Sequence, residues 1–220
     1  MCVAKLLHAA LHPMDESTRR SELLSALTTE HFVLQTAYGT TISEAAARST
    51  LYVMALSSSL VAMGFLSTSR ELFVPFAATV LPAIFLLGLF TVVRLVDTGL
   101  ESMHYLCGIA RIRGQYRSLS AEAARLFAPE RGRWPEIESP AERLGRLSAF
   151  LGTTSSMIAM INNVVAGAGV ALWVQALGSS RTLAIAVGAG VALALTAAFL
   201  VYQRWRFVPF DNVGSIKDER

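Results

Sequence analysis

Lysine is nearly missing from this chain: of 19 basic residues in 220, two are lysine and 17 are arginine. Charge of either sign is thin as well, 16% of residues against 53% hydrophobic, well below the roughly 25% charged composition of soluble domains. The scarcity is concentrated. Residues 49–69, 72–93, 147–180 and 182–203 form four runs without a single Asp, Glu, Lys, Arg or His. A bilayer core of about 30 Å is crossed by roughly 20 apolar residues in a helix, so every run qualifies. An ordinary soluble domain is excluded, and the chain reads as a multi-pass integral membrane protein.

Other absences narrow the function. Ion-coupled transporters and proton pumps usually carry ionisable side chains at membrane depth, and these runs hold none. Cysteine occurs only as Cys2 and Cys107, both in segments assigned below to the cytosol, where disulfides are rare. Neither sits in a metal-ligand spacing, and Cys107 reads as a structural free thiol. No catalytic or cofactor motif stands out, so the expectations are no enzyme activity, no cofactor and no metal. Near the start, Lys5 precedes only a short apolar stretch, 6–11, interrupted by His8. No small-residue cleavage pattern follows, so this does not read as a signal peptide. Met14, heading a natural helix opening, is an alternative start.

What charge there is sets an orientation. Of the 19 basic residues, 17 fall before the first run, between the second and third, or after the fourth; only Arg70 and Arg181 lie on the other side. The positive-inside rule then predicts a cytosolic N-terminus, middle connection and C-terminus. It also accounts for the net charge of +3 and pI near 9.1 without nucleic acid, which is not expected as a partner. The external loops, about 67–71 and 178–181, are tiny, so neighbouring spans must be antiparallel. Recognition of a macromolecule is then left to the cytosol or the membrane plane.

The expected fold is all-α: a four-transmembrane-helix bundle of two antiparallel hairpins with amphipathic cytosolic helices. A flexible tail, 1–16, precedes one helical membrane domain, 17–207, with spans at about 49–69, 72–93, 157–177 and 182–203 and a cytosolic helical connection at 94–146. A tail, 208–220, follows. In lipid, helices associate through small residues and interhelical hydrogen bonds. Ser155, Ala159, Asn163, Gly167 and Ala171 repeat every four residues in the third span, and Ala184, Gly188, Ala192 and Thr196 in the fourth; two such smooth faces predict close packing. Thr153, Thr154, Ser155 and Ser156 are polar enough to lie among headgroups or protrude into the cytosol. Asn162 and Asn163, the costliest uncharged side chains in any span, form with Ser155 the candidate intramembrane site. They read either as polar glue between helices or as the lining of a permeant path. Pro82 predicts a kink in the second span.

Outside the spans, Leu24, Leu27, His31, Leu34 and Tyr38 make an apolar stripe at helical spacing across residues 17–38. His31 reads as a buried structural histidine, with pH sensing the alternative. TISE at 41–44 has the form of a capping box, which predicts a new helix there and a bend near Gly39. Past the second span the helix continues to about Arg117, with Arg94, Asp97, Glu101 and His104 on its polar face as a candidate juxtamembrane cluster. Its partner is expected to be 17–38. Glu101 and His104 have the Glu-x-x-His spacing of di-iron bundles, but no second such helix exists here, so a salt-bridge network with Arg94 is favoured. Ser120 caps a short helix around 121–127, and SPAE at 139–142 caps another. Trp205 and Phe207 read as interfacial anchors.

The segment LTTEHFVLQTAYGTTISEAAARSTLYV (27–53), followed by four spans, resembles a group of uncharacterised small four-span membrane proteins of high-GC actinobacteria, and the bias to arginine agrees with such a source. A looser similarity exists to membrane effectors of bacterial defence systems. The resemblance implies a location and an architecture, with no activity attached. Two functions follow: a non-enzymatic, homo-oligomeric structural or interaction protein that binds the bilayer, its own copies or a cytosolic protein through its cytosolic helices; or a channel or pore-forming effector lined by the third span. Acid–base catalysis by Asp97, Glu101 and His104 is a distant third.

Overall fold

The structure, a computed structural model, describes residues 16–129, 136 and 151–210. Of the expected tails, 1–16 and 208–220, residues 1–15 and 211–220 lie outside the described residues, as does the capping box at 139–142. What is described is helical: α1 Glu16–Leu66, α2 Arg70–Arg117, α3 Ala121–Leu126, α4 Thr154–Ala176 and α5 Arg181–Phe207, closed by a 3-10 turn Val208–Phe210. Four of these, α1, α2, α4 and α5, are long and apolar enough to cross a membrane.

Their lengths differ. The 51 residues of α1 and 48 of α2 span about 76 and 72 Å at 1.5 Å per residue, against roughly 35 and 40 Å for α4 and α5. The first pair therefore runs far past what a bilayer of about 30 Å needs. α1 continues as one helix through Gly39 and 41–44 with no new start there, contrary to the capping-box expectation. The reason is tertiary. Thr41 Oγ1 bonds the Tyr38 carbonyl at 2.7 Å and Ser102 Oγ at 2.6 Å, and Glu44 pairs with arginines. With those side chains committed to α2, nothing pulls the backbone out of helix. α2 likewise passes unbroken through Pro75 and Pro82.

The local ends follow from sequence. Ser120 Oγ accepts from Ala123 N–H at 3.0 Å to start α3, as expected. Thr153 caps α4 by accepting from Ser156 N–H, and Ser180 caps α5 by accepting from Leu183 N–H, each satisfying an orphan helix N–H. Between these two helices the chain reverses at Gly178, whose φ of 87° suits a residue without Cβ.

α1 packs along α2, α2 against α4, and α4 against α5. The shared core lies where the first three meet: Tyr52 and Leu56 of α1, Ile84, Val92 and Leu95 of α2, and Ile158, Ala159 and Val165 of α4. Beyond it, Leu24, Leu27, His31, Leu34 and Tyr38 are each partly buried while the residues between them, Ala37 apart, are exposed. Leu34 covers Gly108, and the His31 ring lies 6.4 Å from that of Tyr116.

Candidate functional site

Three polar assemblies interrupt the apolar packing. Asn162 is buried in the first. Its Oδ1 accepts from the Tyr52 hydroxyl at 3.2 Å and its Nδ2 donates to the Phe85 carbonyl at 3.2 Å, so one amide ties α4 to both α1 and α2. Gly88 makes room for it: a Cβ there would collide with the Asn162 amide and stand 2.7 Å from Tyr52 Cε2. Asn163 points to α5 instead, where its Nδ2 donates to Thr196 Oγ1 at 3.2 Å. Both asparagines border a cavity of ≈ 270 Å³ otherwise walled by apolar groups such as Val92 and Phe199 and by Tyr202.

The second assembly joins the start of α4 to the end of α5. Gln203 is wholly buried. Its Oε1 accepts from Ser156 Oγ at 3.0 Å, and its Nε2 donates to Thr153 Oγ1 at 3.0 Å and Ser155 Oγ at 3.4 Å. Thr153, Ser155 and Ser156 thus serve as partners for an amide, a role their polarity alone did not indicate. The register of the α4–α5 pair dictates this. Once Gly167 meets Gly188 and Asn163 meets Thr196, residue 156 must fall opposite 203.

The third is ionic and sits past the core. Arg94 grips Glu44 with two bonds, Nε to Oε1 at 2.8 Å and Nη2 to Oε2 at 2.9 Å, and reaches Glu101 with Nη1 at 3.1 Å. Arg48 joins from the same helix as Glu44 at 2.8 Å. Hydrogen bonds from Arg94 and then Arg48 lower the Glu44 pKa to about 2. Asp97 turns away to pair with Arg206 of α5, whose guanidinium also lies over the Tyr202 ring at 5.9 Å. His104 is exposed, its Nδ1–H donating to the Leu100 carbonyl at 2.9 Å. The four residues grouped by sequence therefore divide in their bonds: Arg94 with Glu101, Asp97 with Arg206 of α5, and His104 with the Leu100 carbonyl. Further along α2, Arg113 Nε meets the buried Glu136 at 2.8 Å. Burial pushes the Cys107 thiol pKa up, partly opposed by Arg111.

Among the described residues no three His, Cys, Asp or Glu side chains converge. Asn162, Asn163, Ser155 and Gln203 can hold helices in register; each described amide contact is spent within the chain. Trp205 is exposed, as a headgroup-level anchor would be, whereas Phe207 covers Gly99. No family model matches the chain, and neither do any curated proteins or solved structures.

Proposed function

We propose that this is a non-enzymatic integral protein of the bacterial cytoplasmic membrane, of the small four-span actinobacterial kind, that assembles with its own copies through its cytosolic helices. In this reading the four apolar helices form a bundle of two antiparallel hairpins, with both termini cytosolic. The amphipathic first part of α1 and the last part of α2 project together into the cytosol.

One observation carries the reading. In that projecting part of α1, Leu23, Phe32 and Val33 are 57%, 64% and 55% exposed, although the stripe facing α2 is already occupied. Large apolar side chains left uncovered beyond the membrane favour a further helix as partner, and a homo-oligomer supplies one. The pore reading has weaker support, because the amides it would set at a constriction are bonded to Tyr52, Phe85 and Thr196.

The test is the mass of the full chain in nanodiscs. Wild type is expected as an oligomer, and Phe32→Ser with Val33→Ser as a monomer with its thermal midpoint kept. A monomeric wild type that captures no copy of itself refutes assembly, and conductance in liposomes would bring back the pore.

A further inference from the structure

A large hollow lies at the opposite end from those cytosolic helices. Between the first part of α2 and the second part of α4 a cavity of ≈ 1140 Å³ opens, extending from Arg70 to Phe85 on one wall and from Val165 to Leu177 on the other. That exceeds the roughly 300–1,000 Å³ of ordinary ligand pockets. Small residues create it: Ala77, Ala78, Ala166 and Gly169 face across it, and a Cβ on Gly169 would meet only Leu81, at 3.8 Å. Phe73, Val170 and Trp173 complete an almost wholly apolar lining, and Trp173 and Leu177 are exposed at its edge.

We propose that this groove holds an acyl chain of a phospholipid, with the lipid phosphate bound by Arg70 at its mouth. Length supports the match: residues 70 to 85 cover about 22 Å of helix, and one leaflet's hydrocarbon is about 15 Å deep. The groove thus starts at the headgroup level and ends just past the midplane. Charge supports it too. Arg70 is exposed, and among the described residues it is one of only two basic side chains at this end of the helices and has no ion pair. Its neighbour Glu71 points about 100° away around the helix. A guanidinium above an apolar slot fits a phosphodiester above a hydrocarbon chain. The proposal needs the helices to lie in a bilayer but not to assemble through α1.

The experiment reads phospholipid retained by the full-length protein after extraction into mild detergent, by native mass spectrometry with added phosphatidylglycerol or phosphatidylcholine. Wild type should retain phospholipid and prefer phosphatidylglycerol. Arg70→Gln should weaken phosphatidylglycerol binding about fivefold, the worth of one arginine near an anionic headgroup, and remove the preference. Ala78→Phe, at an exposed position on the groove wall, should abolish retention with an unchanged thermal midpoint. Equal retention by all three proteins overturns the proposal. Retention lost in Ala78→Phe but intact in Arg70→Gln overturns Arg70 as the phosphate ligand. A disulfide between Ala78→Cys protomers with no lipid bound assigns the groove to a second copy and overturns it as well.

Discussion

Gly167 of α4 and Gly188 of α5 meet backbone against backbone, each facing the other's carbonyl oxygen. A Cβ on Gly167 would stand 2.5 Å from that oxygen, and one on Gly188 would stand 2.8 Å from Ala171 Cβ. Neither neighbour is a flexible side-chain end, so the helices would have to move apart. Gly188→Ala should therefore destabilise by about 1–3 kcal/mol, the usual range for overpacking. Gly190, two residues on, has open space where its Cβ would be, and Gly190→Ala should stabilise by about 0.5–1 kcal/mol through helix propensity. Thermal midpoints in detergent that move in opposite directions bear this out; equal shifts would mean the close approach is not formed.

Asn162 and Tyr52 are 110 residues apart in sequence and share the hydrogen bond that joins α4 to α1. Tyr52 is wholly buried, so its hydroxyl depends on that amide. In a double-mutant cycle of Tyr52→Phe and Asn162→Leu, the coupling should be about 0.6 kcal/mol, the average for interhelical bonds in membranes, and no more than about 1.7, the largest such value. Strict additivity would show that the two groups are not bonded.

Gln203 reaches three hydroxyls, those of Thr153, Ser155 and Ser156. Replacing it by Leu removes the shared partner while leaving the hydroxyls buried, at a cost of about 1–3 kcal/mol. Ser156→Ala removes the bonds of its hydroxyl to Gln203 Oε1 and Thr153 Oγ1 but leaves Gln203 Nε2 its two hydroxyls, and should cost less. If Gln203→Leu instead raises the thermal midpoint, apolar packing outweighs the polar knot at this depth.

These contacts differ in how far the sequence reveals them. The two faces that carry Gly167 with Asn163 and Gly188 with Thr196 were legible, because a four-residue period on each of two adjacent runs leaves little choice of face, but which residue meets which was not. The stripe from Leu24 to Tyr38 was legible for the same reason. Gln203 was missed, because only a fixed register of those two stripes places 156 opposite it. Tyr52 carried no signal, since nothing in α1 or α4 fixes their mutual rotation. Glu44 was read locally, as part of a cap, and its local option lost to a two-bond grip from Arg94. Asp97 and His104 share a polar face with Arg94 and Glu101, but a face says nothing about which partners other helices bring to it. Arg206 decided Asp97 from outside that helix.

Glu44 gives the fold a dependence on acid. Its folded pKa of about 2 lies below the ordinary 4.5, so the folded state favours the ionised carboxylate. Above pH 4.5 both folded and unfolded chains are ionised and the paired carboxylate contributes its full stabilisation. As pH falls from 4.5 toward 2 the unfolded chain takes up the proton first, and that contribution drains away. Glu44→Gln mimics the protonated side chain at all pH values. It should lower the thermal midpoint at neutral pH, and the gap from wild type should close as pH falls through this window. With the Arg94 side chain 36% exposed, added salt should narrow the neutral-pH gap as well. A gap that stays constant with pH would mean that Glu44 is not ionised against Arg94 in the folded protein, and a gap that widens in acid would reverse the linkage.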